Sequence, residues 1–304
     1  MQGTTLRTAL LSNALFSTIS GLTFVMLSHS VAQWIGIGTP IIYRGIGIGL
    51  LGFAAFVAWT GIRKPINTSW AALISIADFG WVAGTLVLVA LSFEALEPGG
   101  MLLLVIAANV LFFGLRQLQG ISRVYAVSGK EHTHRLCVAV DTPASPDEIW
   151  PIIADLPSIG LYSPNLAQVI LRDGAEPGVD AVRQCTDVDG KTWGEYCKRL
   201  DPQARHVEFE FLADEPGFPY PFKTMSGGWD VQPNSAGSTV TIWFEVTPKY
   251  GIAHPIILAL MTRNLANSFG ETVARMTAAA RGKAVVEPIL PNQYGVESIL
   301  DACE

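Results

Sequence analysis

Charged residues are scarce in this sequence, at 15% of its 304 residues, and the mean hydropathy is +0.36. The scarcity is uneven. Residues 1–130 hold seven Lys or Arg against three acids, a net +4, so the total of −6 leaves −10 for residues 131–304. This asymmetry predicts a membrane-anchoring first half followed by a soluble, acidic second half. Because the soluble half is acidic, it lacks the basic face that nucleic acid requires, and no nucleic-acid partner is expected.

Cysteine is also scarce, and its four positions form no short-spaced set with histidine, so no metal site and no cofactor are expected. Cys185 and Cys197 flank a predicted hairpin turn, but that turn places Cys185 opposite about Gly194 and not opposite Cys197. A disulfide between the two cysteines is therefore not predicted. His132 and His134 alternate on an expected strand without a third ligand, and we expect them at the surface.

Four apolar segments occupy the first half of the chain. Each is close to the ~20 residues that cross a bilayer core. The first has a long apolar run and no clear cleavage site, so it is interpreted as a membrane span and not as a signal peptide. The predicted spans are Thr8–Leu27, Ile41–Thr60, Trp70–Leu91 and Met101–Leu118.

The loop charges predict the orientation of these spans. Lys and Arg precede the first span, separate the second from the third and follow the fourth. The other two loops hold no Lys or Arg, and one of them carries Glu94 and Glu97. By the positive-inside rule, both termini and the soluble half are expected on the cytoplasmic side of an inner or plasma membrane. The expected division is residues 1–120 for the membrane domain, 121–133 for a linker, 134–282 for the soluble domain and 283–304 for a tail.

Three polar side chains fall at similar depths within the predicted spans: Asn13, Asp78 and Asn109. An acid inside a membrane is a functional hypothesis in itself. The alternative is a hydrogen-bonded cluster that holds the helices together. The glycines of the second span are interpreted as close helix packing, with Gly45 and Gly49 at the contact, and not as a nucleotide loop.

The second half alternates apolar and polar residues in the manner of strands. His134–Asp141 is the first predicted strand, and Ser145 and Glu148 form a capping box that opens a helix. A long amphipathic helix is predicted over Ile252–Arg281, with apolar residues every three or four positions. The six strands predicted between these helices cover residues 166–172, 179–187, 191–200, 204–213, 223–232 and 238–247.

Several stretches of the second half resemble the START-like superfamily, also called SRPBCC or polyketide cyclase/dehydrase. They are Ala144–Trp150, the Arg199–Val207 hairpin, Gly228–Pro233 and Thr239–Thr241. The resemblance covers about residues 134–281. It implies a helix-grip fold, in which a seven-stranded antiparallel sheet wraps around a long C-terminal helix and encloses an apolar cavity. It also implies lipids, sterols or polyketides as ligands. Together with the spans, it gives a four-helix transmembrane bundle followed by an α+β helix-grip domain.

The alternation assigns one face of each strand to the helix. A mostly apolar face of this kind is typical of a ligand pocket, although a core filled by side chains is the alternative. The apolar residues expected around a ligand are Val207, Phe209, Phe211, Trp229, Ile242, Phe244, Met261, Leu265 and Phe269.

Some polar residues are also expected near this interior. The candidates are Tyr162, Arg183 and Glu195. Arg183 and Glu195 could form either an acid/base site or an ion pair at the surface, and we expect the surface ion pair. Asp187–Gly190 is too short for a calcium loop and is expected to be a turn. The loop from Phe218 to Phe222 is either packed on its own domain or a lid that touches the bilayer.

These features predict a membrane-anchored protein that binds or transfers a hydrophobic small molecule, with the lipid bilayer as its other partner. The oligomeric state is not predicted. One alternative is an enzyme, such as a cyclase, dehydrase or hydrolase, that acts on a hydrophobic substrate. Another is a structural membrane protein whose soluble domain docks a partner. No catalytic residue is predicted, because no nucleophile and base are expected to lie together.

Overall fold

The chain divides into two compact units, one of Met1–Val124 with Pro255–Ala259 and one of Tyr125–His254 with Leu260–Glu304. The computed structural model describes residues 3–92 and 99–283, and the backbone of 297–300. Glu94, Glu97 and most of the 283–304 tail lie outside the described residues.

Four helices of the first unit are long and apolar enough to cross a membrane. A short helix, α2, follows the first of them and was not expected from the sequence. The helices are α1 (Thr4–Met26), α2 (Ser28–Ile35), α3 (Pro40–Ile62), α4 (Thr68–Leu91) and α5 (Gly99–Tyr125).

The first and third helices pack through glycines, but not through the pair expected. A Cβ atom on Gly47 would lie 2.8 Å from the carbonyl oxygen of Gly21, so only glycine allows this approach. A Cβ atom on Gly45 or Gly49 would meet no atom within 4 Å. The prediction of packing through Gly45 and Gly49 is therefore wrong, because their spacing did not show which side of α3 faces α1.

Arg7, Arg63 and Arg123 lie at one end of this bundle, whereas Arg44 lies near the opposite end of α3. The Arg7 guanidinium donates to the Arg63 carbonyl oxygen at 2.9 Å and to that of Gly61, which joins the start of α1 to the end of α3. Arg123, near the end of α5, donates to the Thr5 hydroxyl at 2.9 Å.

The second unit is an antiparallel sheet with one long helix and two shorter ones. Its strands lie in the order β2-β3-β4-β5-β6-β7-β1-β8. The first seven confirm the predicted seven-stranded sheet, and β8 is added from the tail. The elements are β1 (His134–Thr142), α6 (Pro146–Ala154), α7 (Ile159–Tyr162), β2 (Leu166–Leu171), β3 (Val182–Asp187), β4 (Thr192–Asp201), β5 (His206–Phe211), β6 (Phe222–Asn234), β7 (Gly237–Pro248), α8 (His254–Ala280) and β8 (Glu297–Leu300).

Local sequence explains where these elements begin and turn. The Ser145 N–H donates to the Glu148 carboxylate at 2.7 Å, as a capping box requires, and Pro146 occupies the first position of α6. Gly190, at the β3–β4 turn, has a φ of +82°, which favours glycine. Asp187 accepts hydrogen bonds from backbone N–H groups of the same turn, which supports a hairpin over a calcium loop.

Candidate functional site

The inner face of the sheet is formed by alternate residues of its central strands. On β7 every second residue is buried, and the outward positions of the same strand include Trp243 and Glu245. This alternation confirms the predicted inner face. Buried on that face are Val207, Phe209, Phe211, Trp229, Ile242 and Phe244.

The helix α8 contributes a stripe of apolar residues. Their side chains are fully buried towards the end of the helix and half-buried in its middle. Val273 and Met276 are fully buried, whereas Met261, Leu265 and Phe269 stay half-buried. The Phe269 ring contacts two rings of the sheet, with centroid distances of 5.3 Å to Trp229 and 5.8 Å to Phe244. The half-buried stripe therefore belongs to the side of α8 that faces the sheet.

A buried ion pair joins β3 and β4. Arg183 and Glu195 are cross-strand partners, with Nε 2.8 Å and Nη2 2.6 Å from Oε2, and they are 7% and 4% exposed. The expectation of a surface pair is therefore wrong. The two residues alternate with outward-facing neighbours and share the inner face with Cys185 and Trp193, a signal already present in the sequence.

Every charged group of this pair has further partners. The Trp193 indole N–H donates to Glu195 Oε1 at 2.7 Å, and the Cys185 thiol lies 3.6 Å from the same oxygen. Arg183 Nη1 donates to the Leu156 carbonyl oxygen at 3.0 Å, and its guanidinium lies 3.7 Å from the centre of the Phe209 ring. A buried charge is costly unless it is paired and hydrogen-bonded, and this pair meets both conditions.

The interior beside the pair is nearly filled. The gap bounded by Arg183, Phe209, Trp229 and Met276 has a volume of about 10 Å³. A site needs about 10–15 Å³ to hold even one water molecule. The interior beside the pair therefore follows the filled-core alternative, whereas Met261, Leu265 and Phe269 on α8 are only half-buried.

The Phe218–Phe222 loop packs on its own domain through Tyr220. The Tyr220 ring lies 5.4 Å from that of Trp193, 6.5 Å from that of Phe211 and 5.5 Å from that of Phe218. Phe222 begins β6 and is only 1% exposed, so the expectation that this ring can reach a bilayer is wrong. Phe218 is half-buried and stays a candidate for such a contact.

Two groups near the pair are held in their protonated forms. Burial, followed by the neighbouring Glu195 carboxylate, raises the pKa of the Cys185 thiol far above its usual value. The same two causes raise the pKa of the Tyr220 hydroxyl. Tyr162, at the end of α7, is half-buried and makes no hydrogen bond to the pair within the described ranges.

The two histidines of the β1 region are placed differently. His132 is exposed, but His134 is buried, with its ring centroid 4.8 Å from that of His254. The expectation of a surface position is therefore wrong for His134, which shares the inner face of β1. Within residues 3–92 and 99–283, no group of three His, Cys, Asp or Glu side chains is placed to hold a metal ion.

The helical unit contains its own buried polar cluster. Asn13 Nδ2 and Gln117 Nε2 both donate to Asp78 Oδ2, at 2.8 Å and 3.0 Å, and the Ser75 hydroxyl donates to Gln117 Oε1 at 2.9 Å. Asn109 is exposed and donates to the Val105 carbonyl oxygen of its own helix, so its predicted place in the cluster is wrong. Depth along α5 was estimated from the sequence, but rotation about its axis was not, and Gln117 is the α5 residue that faces Asp78.

The strand order, the long helix lying against the sheet and the mostly apolar inner face define the soluble unit as a helix-grip domain. A profile of the family described as polyketide cyclase / dehydrase and lipid transport matches residues 133–281, just under half of the chain. The soluble half of this chain is a domain of that family, also called SRPBCC or START-like. Among curated proteins, none matches the chain.

Solved structures with a similar fold come from several sources. Ara h 8.0201 is 14% identical, with 50% of this chain and 99% of that chain covered and a TM-score of 0.40. Major latex-like protein 151 from Panax ginseng is 16% identical, with 43% of this chain and 93% of that chain covered and a TM-score of 0.36. A norcoclaurine synthase point mutant from Thalictrum, in complex with a transition state analogue, is 17% identical. The match covers 49% of this chain and 95% of that chain, with a TM-score of 0.39. At these identities and scores, no ligand or activity is transferred to this chain.

Proposed function

We propose that this chain is a membrane-anchored protein whose helix-grip domain binds a lipid or another hydrophobic small molecule and transfers it to or from the bilayer. The observation that carries the proposal is the half-buried stripe of Met261, Leu265 and Phe269, opposite Trp229 and Phe244. Apolar and aromatic walls with few polar groups are what a hydrophobic ligand requires. The family description, which includes lipid transport, supports the same ligand class.

The four long apolar helices support anchoring in an inner or plasma membrane. Arg7, Arg63 and Arg123 lie at one end of the helical bundle, where Arg7 donates to the Arg63 carbonyl oxygen and Arg123 donates to the Thr5 hydroxyl. Because basic residues concentrate on the cytoplasmic side of membrane proteins, this end faces the cytoplasm in our proposal. The chain enters the soluble domain from that same end, after α5, so the soluble domain is cytoplasmic as well.

Binding is favoured over chemistry at the buried ion pair. A cysteine nucleophile must be a thiolate, but the raised pKa of Cys185 keeps it a thiol at neutral pH. The Glu195 carboxylate is fully engaged by Arg183 and Trp193, so no free lone pair is aimed at a substrate proton. The pair is proposed to fix the sheet and to mark the polar, closed end of the interior.

The test is native mass spectrometry of the full-length protein after gentle detergent extraction, followed by identification of any retained lipid. Leu265→Arg places a charge in the half-buried stripe, and Asn264→Arg, at the next and exposed position, is its matched control. We expect retained lipid in the wild-type protein and in Asn264→Arg, and its loss in Leu265→Arg.

Two outcomes would overturn the proposal. One is a wild-type protein that carries no lipid and also fails to take up a fluorescent fatty acid, cis-parinaric acid, from solution. The other is equal retention in both α8 variants, which would remove the stripe from the site. Thermal unfolding of each variant is recorded in parallel, so that loss of ligand can be separated from loss of fold.

A further inference from the structure

A groove is present within the helical unit, lined by residues of α1 to α5. It consists of two adjoining openings of about 330 Å³ and 480 Å³ that share lining residues. Both are within the range of about 300–1,000 Å³ that small-molecule sites occupy. The residues that line both openings are Phe24, Ile46, Ala77, Trp81 and Ile106.

Glycine keeps this groove open. Gly49 on α3 and Gly80 and Gly84 on α4 line its walls, and a Cβ atom on any of them would meet no atom within 4 Å. Gly47, one residue from Ile46, behaves in the opposite way and is in tight contact with α1. The glycines of the groove are therefore not required by helix packing, and the space they leave is available to an occupant.

Hydroxyl groups and one carboxyl group, that of Asp78, are the polar groups that line this mostly apolar groove. Asp78 lines the smaller opening beside Ser17, and its Oδ2 atom accepts both amide hydrogen bonds of the polar cluster. Its other oxygen, Oδ1, accepts no hydrogen bond from residues 3–92 or 99–283. A carboxyl oxygen without a partner in an apolar environment is costly, and a ligand that supplies a hydrogen bond there offsets this cost.

We propose that the groove binds one molecule of a neutral lipid that carries a free hydroxyl group. The hydroxyl pairs with Asp78 Oδ1, and the hydrocarbon body lies along Phe24, Trp81 and Ile106. A hydroxyl both donates and accepts, so it pairs with this carboxyl group whether or not the carboxyl is protonated. A charged head group is a poorer fit, because bringing a second charge to this depth in a membrane is expensive.

This site is separate from the helix-grip interior, so the outcome of a test for lipid binding in the groove is independent of the function proposed above. The test uses the full-length protein in phosphatidylcholine nanodiscs that contain a diacylglycerol with a diazirine in its acyl chain. A second preparation contains the same probe with its hydroxyl acetylated. After irradiation, labelled peptides are mapped by mass spectrometry.

We expect the free-hydroxyl probe to label peptides of α3 and α4 next to the groove. The acetylated probe should label them roughly three- to tenfold less, which corresponds to the net value of one hydrogen bond. Gly49→Leu and Gly84→Leu fill the groove from two different helices and should reduce labelling to the level of the acetylated probe. Gly52→Leu is the matched control on α3, since Gly52 is exposed and does not line either opening.

Equal labelling by the two probes would overturn the recognition of a hydroxyl. Undiminished labelling in both filled variants would exclude the groove as the site. Thermal unfolding in nanodiscs shows whether each variant is folded. If neither filled variant folds, the comparison of the two probes on the wild-type protein still decides whether the lipid hydroxyl is recognised.

Discussion

Arg183 on β3 and Glu195 on β4 are direct cross-strand partners whose charged groups meet inside the sheet, 2.8 Å apart from Nε to Oε2. Removing one partner of such a pair leaves a buried charge without compensation. We expect Glu195→Leu to lower the free energy of unfolding by about 3–5 kcal/mol. The double variant Arg183→Met with Glu195→Leu should recover most of that loss, because both charges are then gone.

Thermal unfolding of the protein in detergent, followed by tryptophan fluorescence, measures both effects. Arg205 and Asp147 form the control pair, at 2.6 Å between Nη2 and Oδ1, with the Asp147 side chain 86% exposed. Asp147→Ala should change the stability by no more than about 1 kcal/mol. A Glu195→Leu protein as stable as Asp147→Ala would show that the pair is not buried in solution.

Glu245 should make the soluble domain sensitive to acid. Burial alone would raise its pKa, but hydrogen bonds from Lys130, at 2.6 Å, and from Arg135 hold the pKa below the ordinary value of 4.5. Its contribution to stability is therefore complete above about pH 4.5 and is lost as the pH falls through the lower folded-state pKa.

The check is the unfolding temperature of the wild-type protein and of Glu245→Gln between pH 7 and pH 3. The variant should unfold at a lower temperature at pH 7, and the two curves should converge at the acid end. Curves that run parallel over the whole range would show that Glu245 has no such coupling.

The two phenylalanines of the Phe218–Phe222 loop should behave differently. Phe222→Ser removes a fully buried ring and should cost about 3–5 kcal/mol of stability. Phe218→Ser removes a half-buried ring and should leave the unfolding temperature nearly unchanged, while it slows the uptake of fluorescent lipid from vesicles. Unchanged uptake by a stable Phe218→Ser protein would assign this ring to ordinary packing.

The proposed orientation of the helical unit predicts which positions are reached from outside the cell. A cysteine at Ser128, after α5, should resist a membrane-impermeant maleimide in intact cells, whereas one at Gln33, in α2, should react. Both positions are exposed on their own units, so a difference between them reports the side of the membrane. Labelling at Ser128 but not at Gln33 would invert the proposed topology.

Alternation predicts strands such as β7, in which every second residue is buried, and the family resemblance implies how the seven strands are arranged. The helical unit was harder to predict. Asn109 was placed in the polar cluster from its depth in the span, but the structure uses Gln117. Gly45 and Gly49 were chosen as contacts from their spacing, but Gly47 makes the contact. In both cases the unknown was the rotation of a helix that is apolar on all sides, for which hydrophobic periodicity gives no signal.

The apolar inner face of the sheet is predicted by the alternation, whereas the polar partners of its buried ion pair are not. Trp193, Cys185 and Tyr220 surround Glu195, yet none of them was a candidate. Charge alone favours exposure, but Glu195 lies between Trp193 and Cys197 on one face of β4. How far the interior is filled depends on rotamers and on the position of α8, and neither can be derived from a pattern of residue types.

The short strand β8 has a consequence for the behaviour of the domain at high concentration. It pairs with β1 over Val138–Asp141, where the backbone N–H and C=O groups would otherwise form an open sheet edge. Open edges are templates on which a second chain can add a strand and begin an aggregate. The four residues Glu297–Leu300 therefore cover the edge of β1 and protect it from pairing with another chain. A truncated protein that stops after α8 would keep its seven-stranded sheet but would offer β1 to its neighbours.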